Sequence, residues 1–91
     1  MNTEELDQRR EGARLIMDRC RRLARKFDVA LKSVEWKENL EDEHSVFTLV
    51  VNIESDSAEI QLAESELRAY CAGKTTQGTD AKLESALNKR Y

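Results

Sequence analysis

Proline is absent from this chain, and glycine occurs only at Gly12, Gly73 and Gly78. So few breakers in 91 residues exclude a loop-rich fold and imply long elements with few joints. Histidine occurs once, at His44, so every histidine-based general base would have to be that residue. Its neighbour Ser45 would point to the opposite face of an extended strand. Cys20 and Cys71 are too few and too far apart for a disulfide framework, and both fall on apolar faces as reduced core thiols. No apolar run approaches the ~18–20 residues that cross a bilayer. The longest, VFTLVV at 46–51, has the length of a strand. The opening MNTEELDQRR lacks the apolar centre of a secretory signal. These absences predict a cytoplasmic protein with no membrane segment.

What is present is apolar enough to fold and unusually ionic, at 40% hydrophobic and 36% charged residues. The length suits one domain, 1–91, with one modest core. Net charge is −3, but its distribution is uneven. From Arg9 to Lys26 there are eight basic residues against Glu11 and Asp18, a local +6, while most of the remaining chain is acidic.

Asn2 or Thr3 can cap a helix whose first turn holds Glu4, Glu5 and Asp7. Ala13, Ile16, Met17, Cys20, Leu23, Ala24 and Phe27 then recur at three- and four-residue intervals, which predicts an amphipathic helix over 3–28. Gly12 inside it marks a bend or a close contact. Residues 29–38 and 45–54 read as strands, the second with Phe47, Leu49, Val51 and Ile53 on one face. The short acidic joint NLEDEH favours an antiparallel hairpin. Asp56 with Glu59 resembles a capping box opening a helix over 56–72, striped by Ile60, Ala63, Leu67, Tyr70 and Cys71. A short helix over 79–90 would bury Leu83, Ala86 and Leu87. The expected class is α+β in α-β-β-α-α order, packed as two layers.

Two strands and three helices struggle to cover every apolar surface in this pattern. Val46 and Val50 lie opposite the main face of the second strand, Val34 and Trp36 add to the first, and a two-stranded sheet leaves two open edges. Self-association through Val34, Trp36, Val46 and Val50, as a homodimer, is the economical resolution.

The chemistry-bearing motifs are few. Gly73-Lys74-Thr75 resembles the end of a phosphate-binding loop, but the earlier glycine position holds Arg68 and a helix precedes the stretch. Gly73 reads instead as a helix C-cap in a loop, GKTTQG, bounded by glycines. Glu38, Glu41, Asp42, Glu43 and His44 lack calcium-loop spacing, and Cys20, His44 and Cys71 are too dispersed for a structural zinc site. No nucleophile–base pair can be assembled, so neither an enzyme nor a cofactor or metal site is expected. Arg10, Arg14, Arg21, Arg22, Arg25 and Lys26 fall mainly opposite the apolar stripe, with Leu15 among them. That face could dock a protein or neutralise phosphates. The expected function is a self-associating protein-interaction module. The alternative is an RNA- or DNA-binding protein using the same face, against which stand a pI of about 5.2 and the lack of aromatic residues among the basic ones.

Overall fold

The computed structural model describes residues 3–54, 56–73 and 77–88, the side chain of Asn88 excepted. Helix α1 spans Thr3–Lys26. Strands β1 (Leu31–Trp36), β2 (Val46–Ile53) and β3 (Asp56–Ala63) follow, then helices α2 (Glu64–Cys71) and α3 (Gln77–Asn88). The architecture is α+β, with helices layered on a three-stranded antiparallel sheet in the order β1-β2-β3. The cap expected at Asn2 lies outside the described residues, and Thr3 is already helical.

One expectation fails. The sequence places 56–72 in a single helix, but residues 56–63 form β3 and only 64–71 are helical. Ala58, Ile60 and Leu62 alternate with Ser57, Glu59 and Gln61, and the burial follows that two-residue period. β3 pairs with β2 over its whole length, from Val46 opposite Ala63 to Ile53 opposite Asp56. This unbroken ladder outweighs the helix propensity of alanine, glutamate, glutamine and leucine. The element order is therefore α-β-β-β-α-α. Asp56 caps no helix; its carboxylate accepts from the Ser57 N–H at 2.8 Å. The helix start lies at Ala63, which has no side-chain acceptor. Glu66 supplies the other half of the box by accepting from the Ala63 N–H at 3.0 Å.

The core fills the space between the helices and one sheet face. Ile16, Cys20 and Leu23 of α1 meet Phe47, Leu49 and Val51 of β2, Ile60 and Leu62 of β3, and Leu67, Leu83 and Leu87 of the later helices. Gly12 is a close contact, not a bend. A Cβ built there would stand 1.7 Å from the Leu67 carbonyl oxygen, so the α1 and α2 backbones nearly touch.

The third strand also alters the premise for self-association. Val34 is buried, and half-buried Trp36 packs on the core from the helix-covered face. Val46 and Val50 belong to the other face, where Val46 is 42% exposed and Val50 half-buried. The four residues thus lie on two opposite faces and do not form one surface. Around Val50, the register sets Glu35 on one side and Glu59 on the other, and Lys37 reaches Glu59 at 3.9 Å. Thr48 between the two valines is buried under Glu38, whose carboxylate accepts from the Thr48 N–H at 2.6 Å and its hydroxyl at 3.1 Å.

Glu66 joins α2 to α3. Besides Ala63, it accepts from the Thr79 hydroxyl at 3.0 Å and from Lys82 Nζ at 2.8 Å. Burial by itself would raise the Glu66 pKa, but the bonds from Lys82, Ala63 and Thr79 outweigh it and hold the carboxyl below the ordinary range. A depressed carboxyl contributes stability that is complete above the unfolded pKa and lost as pH falls through the folded one. Glu66→Gln should therefore cost about 1 kcal/mol at neutral pH, with the gap from wild type closing in acid, below about pH 4. Urea denaturation at a series of pH values checks this, and a gap independent of pH would contradict it.

Candidate functional site at the basic end of the first helix

The end of α1 explains the geometry around it. The Val29 N–H bonds back to the Ala24 carbonyl at 2.8 Å and the Asp28 N–H to Arg25 at 3.2 Å, with Asp28 at φ 57°. This is a Schellman turn in which aspartate takes the left-handed position usually held by glycine. It folds the chain back so that β1 runs alongside the last turns of α1. A cleft of about 410 Å³ results between them. Its floor is Ala24, Val29, Leu31 and Val34; its lips carry Arg21, Arg25, Lys32 and Ser33. A shallower hollow of about 280 Å³ continues over Asp18, Arg21, Arg22 and Arg25.

The fold divides the basic run into two parts. Arg9 is not on the basic face at all; it is 1% exposed. Its Nη1 donates to the Leu40 and Asp42 carbonyls at 2.7 and 3.0 Å, and Nη2 lies 3.8 Å from Glu64. The guanidinium also sits 5.1 Å from the Phe47 ring centroid. Arg10 pairs with Glu41 in the β1–β2 loop. Arg14 is held by Glu11 and by Asp18, the latter at 3.0 Å. Arg19 Nε lies 3.5 Å from Asp80, an ion pair without a hydrogen bond at Nε. Leu15 is half-buried without joining the core.

Beyond Arg19 the pattern changes. Arg21 shares Asp18 with Arg14, at 3.2 Å. Arg22, Arg25 and Lys26 are exposed, and among the described residues no ion pair engages them. Lys26 only stands 5.8 Å from the Phe27 ring. Lys32 joins them from β1, likewise exposed and without an ion pair among the described residues. Sequence reasoning missed Lys32 because it lies outside the run, and only the turn at Asp28 brings it alongside. With Asp18 and Asp28 counted against Arg21, Arg22, Arg25, Lys26 and Lys32, this end carries +3.

The remaining motifs serve the fold. Cys20 is fully buried, and desolvation pushes its thiol up to about 11, so it is no nucleophile at neutral pH. Cys71 is half-buried on α2. His44 is exposed and set edge-on to Phe47, 5.6 Å between ring centres. The Ser45 carbonyl accepts from the Glu64 N–H at 3.0 Å. Tyr70 donates to Asp80 at 3.1 Å, and burial with the Asp80 charge pushes its hydroxyl up to about 12. Gly73 has φ 71° directly after α2 and closes that helix. Lys74 and Thr75 lie outside the described residues, and Gly78 belongs to α3, so it bounds no loop. Among the described residues no group of His, Cys, Asp or Glu could hold a metal ion, and no helix is long and apolar enough to cross a membrane.

A further hollow of about 580 Å³ lies between β3 and α3, floored by Ala58, Ile60, Ala81 and Ala86. Its cation, Lys82, is already committed to Glu66 and to the Gln61 carbonyl. Compared with known proteins, the chain matches no family model, no curated protein and no solved structure.

Proposed function

We propose that this chain is a non-catalytic protein-interaction module that receives an acidic protein partner at the basic end of α1. One observation carries the reading. Arg22, Arg25, Lys26 and Lys32 stand exposed at this end of the fold without an ion pair among the described residues, Arg25 and Lys32 on the lips of one cleft, whereas Arg9, Arg10, Arg14 and Arg19 are paired within the chain. Exposed cations of this kind steer an acidic partner and set the register of docking, while the apolar floor beside them adds burial. Binding should weaken as salt screens the charges.

An RNA or DNA ligand is the second reading, favoured by the three exposed arginines and lysines in sequence at 22, 25 and 26. The protein reading is preferred because the patch is short and is bordered by Asp18 and Asp28. Among the described residues, no aromatic side chain stands free within it to stack on a base, since Phe27 packs on the core.

The test is fluorescence anisotropy with a polyglutamate peptide and with duplex and single-stranded nucleic acid at about 50 mM salt, low enough to favour charge contacts. Wild type should bind the peptide, and Arg22→Glu/Arg25→Glu/Lys32→Glu should lose that binding with an unchanged circular dichroism spectrum. Tighter binding to nucleic acid than to the peptide would install the second reading. No binding to any probe would remove both.

A further inference from the structure

We infer that the acidic segment is bound as an added strand: it pairs its backbone with the open edge of β1 and sets a row of carboxylates against Arg21 and Arg25. The inference rests on the acidic-partner reading above and specifies its geometry.

Among the described residues, the sheet order leaves one side of β1 without a neighbouring strand. A register shift between Leu31 and Ser33 disturbs only its start, and from Ser33 to Trp36 the pairing with β2 is regular. The Lys37 N–H donates to the Thr48 carbonyl at 2.9 Å. Counting back from that bond in an antiparallel ladder, Glu35 and Ser33 also turn their backbone groups to β2. Val34 and Trp36 therefore present N–H and C=O to the open side. Their side chains face the helix layer, with Val34 on the cleft floor. A strand paired with them would have its inward row next to α1, with aliphatic stems over Ala24 and Leu31 and carboxylates at Arg21 and Arg25.

Charge decides which strand fits. Lys32 on the edge, with Arg25 above it and no ion pair to either among the described residues, favours an acidic strand over a neutral or basic one. The opposite edge of the sheet differs: Lys82 Nζ donates to the Gln61 carbonyl of β3 at 3.1 Å. Among the described residues, the β1 edge is the one with unpaired strand backbone beside Arg25 and Lys32, which no ion pair engages, and beside Arg21, which shares Asp18.

The experiment uses the full chain, isotopically labelled, and an acetylated octapeptide alternating glutamate with threonine. Two versions carry N-methyl groups, one on the glutamate amides and one on the threonine amides. Paired antiparallel to β1 with the glutamates inward, the added strand aims only its glutamate amides at β1. The glutamate-methylated peptide should bind at least about tenfold more weakly, while the threonine-methylated one stays within about threefold of the parent. The Val34 and Trp36 amides should exchange more slowly in the complex. Equal affinity of the two methylated peptides would overturn strand addition and leave the acidic-partner reading standing. Failure of all three peptides to bind would overturn both.

Discussion

Gly12→Ala should lower the stability of this protein by at least about 2 kcal/mol, although alanine is the better helix former by about 1 kcal/mol. The added methyl group would be placed 1.7 Å from the Leu67 carbonyl oxygen. The methyl position is fixed by the α1 backbone and the carbonyl belongs to the α2 backbone, so no rotamer change can relieve the contact. The helices must separate, which loosens the packing of Ile16 and Cys20 around fully buried Leu67. For a domain expected to be stable by about 5–10 kcal/mol, the loss should appear as a fall of roughly 10 °C or more in melting temperature. Gly78→Ala is the matched control. It lies in α3, and an added methyl group there would meet nothing within 4 Å, so the substitution should be neutral or mildly stabilising. Thermal melts should therefore show a large fall for Gly12→Ala and no fall for Gly78→Ala. A Gly12→Ala variant as stable as wild type would mean that α1 and α2 do not cross at Leu67.

Arg9→Ala is the second large effect, expected at about 3 kcal/mol. The substitution removes the only donors to the Leu40 and Asp42 carbonyls that the described residues provide through a side chain, and empties the space over Phe47. Glu64 retains Arg68 Nε at 2.6 Å, which keeps the cost toward the lower end for a broken buried pair. Arg9→Met preserves most of the buried stem and should lose less. Arg9→Lys keeps the charge but cannot reproduce the planar fork that serves two carbonyls at once. Urea denaturation should rank the variants wild type, then methionine, then alanine. Amide exchange should accelerate first at 40–42, the loop that Arg9 holds. An alanine variant within about 0.5 kcal/mol of wild type would show that the guanidinium is not the tie between this loop and α1.

Much of this fold is legible in the sequence, for identifiable reasons. α1 and β2 carry clear periods and β1 a rough one, and the observed bounds Thr3–Lys26, Leu31–Trp36 and Val46–Ile53 fall within the expected segments. The third strand is concealed because Ile60, Ala63 and Leu67 also fit a helical stripe, and the alanines, glutamates, glutamine and leucines around them are good helix formers. No glycine or proline marks the turn between β2 and β3. The signal that would have found it is the strict alternation from Ser57 to Leu62, continuous with the demand of β2 for a second neighbour.

The candidate site is only partly legible. Its arginines are visible as a run, but the run does not tell which are free. Arg9 shares the helical spacing of Ala13, Ile16 and Cys20, and that position on the apolar stripe is the one sequence sign of its burial. Arg10 is indistinguishable in sequence from Arg22 and Arg25, whereas Arg14 has Glu11 and Asp18 at three- and four-residue spacing on the same helix. Glu41 neutralises the first only because Arg9 holds the β1–β2 loop against α1. Lys32 enters the site through a left-handed aspartate that no spacing rule anticipates.

The central claim is this division of charge along α1, and it can be measured residue by residue. Relaxation of the backbone amides by an anionic and by a cationic nitroxide cosolute reports the electrostatic potential near each one. The anionic probe should be strongly favoured at the amides from Arg22 to Val29 and at Lys32 and Ser33, with little preference from Arg10 to Asp18. A potential equally positive at Arg10 and Arg14, or absent around Arg25 and Lys32, would contradict the account.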